Sequence, residues 1–395
     1  MKAIIYPSVS CGSVTIPPSK SLLHRYIIAS CLAKGKSVIH NVKMGIDNYA
    51  TINAFLPLGV KYEIINNDLI IDSSDLKKID YLEVDVAESG SSLRFLLPVL
   101  INYAKTICFK GSKSLFSRPL DEYIKIFGKD LELFDDHLII KSSLHHNNYY
   151  VEANVSSQYV TGLIFGLSIL DHPSIIILQG KISSRNYIEQ TIYVLKQFGI
   201  NIKWDEEVIY ILPSNYKQVS LSVEGDYTLA ANYIVLSKIN HLITINGLYK
   251  ESIQNEKIIY DLLEKDEIDL DNIIDLGPIL MCYAACIDKK TKFTSTNRLI
   301  YKESNRLYAL KEEFAKFNVN LEIYDDLCFV NGRSDLLATC ELSSHNDHRI
   351  CMGLSIIATI FKNKVIINEI ESVNKSYPDF FNDLGDLGIK IEFIK

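Results

Sequence analysis

The sequence predicts an α/β protein of two domains, each built from three repeated units. Three observations predict it. A motif of helix end, Gly or Asn, and two short alternating strands recurs five times, starting at Phe55, Ile124, Val194, Glu312 and Phe381. The recurrences keep a period: Gly59, Gly128 and Gly199 stand 69 and 71 residues apart, and Asn318 and Gly388 stand 70 apart. The chain has 395 residues, 48% of them hydrophobic, which is enough for two or three cores.

Within each recurrence the Gly or Asn suits a left-handed helix cap. The polar pairs Asn66-Asn67, Asp135-Asp136, Asp205-Glu206 and Asp325-Asp326 suit a hairpin or tight bend. The 119-residue gap from Gly199 to Asn318 is too long for one period and short for two. A worn sixth copy is therefore expected at "IIYDLLEKDEIDLDN", residues 258–272. Six units of about 66 residues would fill the chain. In "VEGDYTLAANYIV", residues 223–235, a Gly-Asp turn opens a new apolar helix and marks a crossover. Pro17 and Pro18 mark an earlier crossing. The domains are expected at 19–223 and at 1–18 plus 224–395.

The formal charge is −7, so a broad nucleic-acid surface is not expected, because phosphate-backbone binding shows as a basic excess. The opening "MKAIIYPSVSCGSV" is too short and polar for a secretion signal, and no apolar run reaches membrane-spanning length. A cytoplasmic protein is expected. Its cysteines, Cys11, Cys31, Cys108, Cys282, Cys286, Cys328, Cys340 and Cys351, form no C-x-x-C and read as buried thiols in a reducing compartment. Cys282 and Cys286, one helical turn apart, read as core packing rather than metal ligands.

The informative residues are cations in apolar or small-residue surroundings, where Lys and Arg resist burial unless they are paired. "PPSKSLLHR" places Lys20, Ser21 and Arg25 at the mouth of a helix, with no glycine-rich loop to make a P-loop. In "ESGSSLRFLLPVL", Gly90, Ser91 and Ser92 lead into a helix carrying Arg94, an arrangement that lets main-chain N–H groups approach an anion. Arg118 precedes Pro119 and a further helix. Ser156, Ser157 and Gln158 open an apolar helix, as caps or as hydrogen-bonding groups for hydroxyls or phosphate. Ser184 and Tyr187 stand just ahead of another helix.

Lys302 and Arg306 share a helical face and repel each other; an anion between them would relieve this, and Glu303 sits beside them. Arg349 starts a nearly all-apolar helix, and Lys375 precedes a Pro-started one. His345 and His348 flank Asp347, which reads as a solvated cap before a metal site. Asp275 opens a helix apolar enough to be buried, either as a cap carboxylate or as a partly desolvated base. If these groups converge, they form a site in an interdomain cleft for several phosphates and carboxylates.

In this order, "PSKSLLHR", "SGSSLR", "SRPLDEYIKIFG", "SSQYVTGL", "SRNYIEQT", "VEGD", "DLGP", "KESNR", "NDHR" and "NKSYPDFF" resemble the 5-enolpyruvylshikimate-3-phosphate synthase family from Pro18 to Pro378. The resemblance implies a two-domain inside-out α/β barrel, each domain of three βαβαββ-type repeats with the helices gathered inside. It implies transfer of the enolpyruvyl group of phosphoenolpyruvate to the 5-hydroxyl of shikimate-3-phosphate by addition and elimination of phosphate. Shikimate-3-phosphate would be held by Lys20, Ser21, Arg25, Ser156, Ser157, Gln158, Ser184, Tyr187, Asp275 and Lys302. Phosphoenolpyruvate would meet Lys20, Gly90, Arg118, Gln158, Arg306, Arg349 and Lys375. Asp275, Glu303 and Lys20 would be catalytic, with the first two moving protons. The family chemistry needs no metal or organic cofactor, its partners are these small molecules, and a monomer that closes on binding is expected.

Three positions depart from the usual family pattern. Asn305 stands for Asp and Ser91 for Thr, both retaining hydrogen-bonding capacity. Glu88 stands for Asn, which adds negative charge near the phosphoenolpyruvate residues and would weaken affinity there. The sister UDP-N-acetylglucosamine enolpyruvyl transferase characteristically has Lys-Asn at the first motif and often a loop cysteine. Here Ser21 follows Lys20, and "GSKSLFSRP" has no cysteine. A catalytically silent anion-binding protein of the same fold is disfavoured by the retained acids and cations.

Overall fold

A computed structural model describes residues 1–145, 148–154, 156–336 and 341–394. The chain divides into two compact units, residues 18–223 and residues 1–17 with 224–395.

In unit 18–223 one sheet pattern occurs three times. Ile79–Asp85 runs parallel to Ala104–Lys110, which pairs antiparallel with His137–Ile140, itself paired with Leu131–Leu133. Asn148–Glu152, Ser174–Gln179, Val208–Ile211 and Ile202–Asp205 repeat that order. So do Ser220–Ser222, Lys36–His40, Asp68–Asp72 and Lys61–Ile65. In this last sheet the leading strand comes from the far end of the segment and closes the unit on itself. The helices lie inside. Lys20–Leu32, Gly90–Leu100 and Ser157–Leu167 are buried along almost their whole length, as helices apolar all round must be. Gly90–Leu100 and Ser157–Leu167 touch backbone to backbone. A Cβ on Gly162 would stand 2.2 Å from the Arg94 carbonyl oxygen, and one on Gly166 2.4 Å from that of Pro98.

The other unit carries two complete sheets of the same order. One is Glu267–Asp269, Lys290–Thr294, Leu327–Asn331 and Asn320–Ile323. The other is Glu341–Ser343, Val365–Asn368, Lys2–Ile5 and Ile391–Ile394. Its third repeat is cut down to Ser13–Thr15 parallel to Thr244–Asn246, with the Tyr227–Ile239 helix between them in sequence. Asp226 caps that helix, accepting from the N–H groups of Thr228 and Leu229.

The five cap residues all have positive φ, from +53° at Gly128 to +97° at Gly59, with Asn318 at +60°. Asn66 and Glu206 take the same left-handed region at two of the predicted bends. Two expectations are corrected. The recurrence at Phe381 supplies one strand, Ile391–Ile394; its antiparallel partner is Lys2–Ile5 from the start of the chain. Residues 258–272 do not form a worn copy. Ile259–Leu262 is one helical turn, and Glu267–Asp269 opens the next sheet. The cut-down repeat takes its leading strand from before residue 18, where a scan for a linear period cannot see it.

Cys31, Cys108, Cys282, Cys286, Cys328 and Cys351 are buried as expected, and burial pushes the Cys282 thiol well up. Cys11 is exposed, against expectation, because it lies in the loop between two N-terminal strands. Cys340 lies outside the described residues. Among the described residues no helix is long and apolar enough to cross a membrane.

Candidate active site

In unit 18–223, Ser19 caps the Lys20–Leu32 helix by accepting from the Leu22 N–H. Lys20 Nζ lies 2.5 Å from Asp47 Oδ2. Arg25 is 2% exposed. Its Nε donates to Thr191 Oγ1 at 2.9 Å, and its terminal nitrogens donate to Ser21 Oγ at 2.9 Å and to the carbonyls of Ser21 and Tyr187 at 2.7 and 2.9 Å. The structure thus brings Ser21, Arg25 and Tyr187 together. Tyr187 lies inside the Arg185–Gln197 helix rather than ahead of it, because the helix starts directly after Ser184. Ser184, with φ +55°, occupies the cap position without a side-chain cap bond.

A second group forms around Gly90. Ser89 caps the Gly90–Leu100 helix by accepting from the Ser92 N–H. Arg94 donates to Gln158 Oε1 at 2.9 Å, and Gln158 Nε2 donates to Ser91 Oγ at 3.0 Å. Ser156 caps the Ser157–Leu167 helix through the Gln158 N–H. A Cβ on Gly90 would stand 2.8 Å from a terminal nitrogen of Arg94, 3.3 Å from one of Arg118 and 3.9 Å from Gln158 Oε1. Two guanidinium groups therefore border one glycine at a helix start, an arrangement suited to a compact anion.

In the other unit, acids and cations interlock. Asp275, in the turn before the Gly277–Ala285 helix, meets Lys302 at 3.3 Å, Arg306 at 3.2 Å and Arg349 at 3.2 Å. Arg306, 1% exposed, also meets Glu303 at 2.6 Å and Asp347 at 2.8 Å. Lys375 Nζ donates to the carbonyl of Asn346, next to Asp347. Burial works to raise the Asp275 carboxyl, but Arg349, Lys302 and Arg306 outweigh it and hold the group well below the usual carboxylate range. Burial lowers the Lys302 amine against the pull of Asp275. Arg306 is raised despite its burial by Asp347, Glu303 and Asp275.

Three readings change here. The relief of repulsion between Lys302 and Arg306 comes from the protein itself, since Asp275 Oδ1 sits within reach of both. Asp347 caps the His348–Ala358 helix but is fully buried, not solvated, because Arg306 covers it. His345 turns to Glu313, 3.0 Å away, and His348 is buried. Asn305 keeps the capping role open to Asp, accepting from the Tyr308 N–H. Glu88 is exposed. Sequence reasoning missed Asp47 as the partner of Lys20, and nothing in "GIDNYA" signals it. Asp347 as the partner of Arg306 had a signal: an acid at a helix cap directly before an apolar run.

Repeated βαβαββ sheets around buried helices, with cations and carboxylates at the helix starts, define a fold seen in enolpyruvyl transferases. The EPSP synthase of Acinetobacter baumannii superposes with a TM-score of 0.82 at 21% identity over all of both chains. The enolpyruvyl transferase NikO of Streptomyces tendae superposes with a TM-score of 0.80 at 13% identity, covering 99% of this chain and 98% of that one. A family profile described as EPSP synthase (3-phosphoshikimate 1-carboxyvinyltransferase) matches residues 7–266 and 262–384. The 3-phosphoshikimate 1-carboxyvinyltransferase of Brachyspira hyodysenteriae is 36% identical over 425 aligned positions, spanning 99% of this chain and 100% of that protein. The one from Clostridium perfringens strain 13 is 35% identical over 417, spanning 98% of each. The chain belongs to the EPSP synthase family.

Proposed function

We propose that this chain transfers the enolpyruvyl group of phosphoenolpyruvate to the 5-hydroxyl of shikimate-3-phosphate and releases phosphate. The observation that carries the reading is Asp275, a carboxylate held by three cations within 3.3 Å, with Glu303 on the same arginine. Such a group is a weak base while the cations remain on it. Substrate phosphate and carboxylate groups that engage Lys302, Arg306 and Arg349 draw those charges away and raise its basicity. Asp275 then takes the proton of the 5-hydroxyl as oxygen attacks C2 of phosphoenolpyruvate, and a proton is delivered to C3. Glu303 is the second proton-transfer acid, and Lys20 touches both substrates. In the elimination the C3 methyl returns a proton to one of these carboxylates, the C2–C3 double bond re-forms and the C2–O bond to phosphate breaks; the guanidinium groups stabilise the charge of the leaving phosphate.

In this reading shikimate-3-phosphate takes Lys20, Ser21, Arg25, Ser156, Ser157, Gln158, Ser184 and Tyr187 from one unit and Asp275 and Lys302 from the other. Phosphoenolpyruvate takes Lys20, Gly90, Arg118 and Gln158 from one and Arg306, Arg349 and Lys375 from the other. Holding two anions side by side supplies an approach that water disfavours. The proposal extends to a cytoplasmic monomer with small-molecule partners and no nucleic acid, in keeping with the acidic balance of −7. Phosphate release by the purified protein tests it. Release from phosphoenolpyruvate with shikimate-3-phosphate, and none with UDP-N-acetylglucosamine, supports the reading. Release with the nucleotide sugar alone, or with neither, overturns it.

A further inference from the structure

The Arg118–Pro119 link is held by groups that the reaction itself does not use. The carbonyl of Pro119 accepts two hydrogen bonds, one from Arg94 at 2.8 Å and one from the Tyr159 hydroxyl. Tyr159 is 1% exposed, and the Arg94 guanidinium lies over its ring, 5.4 Å from the centroid. Arg94 is itself anchored from the main-chain side. Pro98 lies four residues on in the same helix and has no N–H to give the Arg94 carbonyl. The fully buried Tyr123 supplies that missing donor, its hydroxyl 2.5 Å from the Arg94 oxygen. Tyr123 and Tyr159 then meet edge to face, with centroids 5.0 Å apart.

We propose that Tyr159 is a positioning residue for Arg118: with Arg94 it clamps the Pro119 carbonyl and so holds the Arg118 guanidinium at Gly90. The inference rests on the reading above, in which Gly90 and Arg118 meet phosphoenolpyruvate. The geometry separates the clamp from general packing. A phenylalanine at 159 keeps the ring under Arg94 and the stack on Tyr123, and removes only the hydroxyl that reaches Pro119. Arg118 alone then gains freedom, while Arg25, Ser21 and Tyr187, held by a separate set of bonds, are untouched.

The test is Tyr159→Phe in the full chain, read by steady-state kinetics and by NMR of the arginine Nε–H groups. The Arg118 resonance is assigned with Arg118→Lys. Expected is a roughly tenfold rise in KM for phosphoenolpyruvate, as befits loss of one buried hydrogen bond, with kcat and KM for shikimate-3-phosphate within about twofold. The Arg118 Nε–H signal, distinct in the parent protein, broadens or averages in the variant. An unchanged KM for phosphoenolpyruvate, or equal rises for both substrates, overturns the clamp. Should the parent protein release no phosphate, the functional reading falls and the NMR decides alone. Selective loss of the Arg118 signal upholds the clamp, and an unchanged signal overturns it.

Discussion

Arg25 and Arg306 are almost equally buried, at 2% and 1% exposure, and are held in opposite ways. Arg306 is gripped by the carboxylates of Asp347, Glu303 and Asp275. Arg25 donates to hydroxyls of Ser21 and Thr191 and to two main-chain carbonyls. Arg94 follows Arg25, donating to the Gln158 amide and the Pro119 carbonyl. A carboxylate orients a guanidinium and cancels its charge; a neutral oxygen orients it and leaves the charge in place. In one unit, then, the arginine sits among carboxylates, and in the other Arg25 and Arg94 are oriented by neutral oxygens. Lys20 in unit 18–223 differs from Arg25 and Arg94, since the carboxylate of Asp47 meets it.

The largest effect is expected from Glu303→Gln, which keeps Arg306 on Asp347 and Asp275 but removes a proton-transfer acid. Turnover should fall about a thousandfold with substrate dissociation constants nearly unchanged, read by pre-steady-state kinetics beside equilibrium titration. Substantial residual kcat would return Glu303 to the status of a counter-ion. Asp347→Ala leaves a buried guanidinium short of its main partner and should cost about 3 kcal/mol of unfolding free energy, seen as a lower urea midpoint. A midpoint equal to the parent's would mean that Glu303 and Asp275 suffice.

A smaller effect comes from His24, beside the cations of unit 18–223. Burial lowers its pKa to about 3, against an ordinary value of 6.5. The unfolded chain therefore takes up a proton that the folded chain refuses as pH falls below 6.5. Stability present at pH 7 should drop by roughly 2 kcal/mol by pH 5, and His24→Gln should lose that slope. Asp275 and Asp347, both lowered, keep their contribution above the ordinary carboxylate range and lose it only at more acid pH, so the two signals separate. The smallest effect is Gly90→Ala. The added methyl meets the movable end of Arg94 at 2.8 Å, so the fold should hold while KM for phosphoenolpyruvate rises roughly tenfold. An unchanged KM would remove Gly90 from that substrate.

Much of this was legible in the sequence, because helix caps and periods are local. Gly59, Asn318 and Gly388 announce helix ends through the backbone conformation they permit, and the cations announce themselves by standing in apolar company. What was not legible is long-range. That Lys2–Ile5 completes the last sheet and Ser220–Ser222 opens the first depends on closure of the chain, which no window of sequence contains. Nor does a motif say whether an arginine is met by an acid or a carbonyl. Lys302 and Arg306 read as a pair awaiting an external anion, yet Asp275, 27 positions before Lys302, already stands between them.

In the proposed reaction these two unlike sets serve one substrate pair. Calorimetric titration of shikimate-3-phosphate into Lys20→Met and Lys302→Met, one variant in each unit, reads whether both contribute. Both substitutions should weaken binding by about tenfold or more. Parent-like affinity in either variant would mean that one set holds the substrate alone, and the shared role would fall.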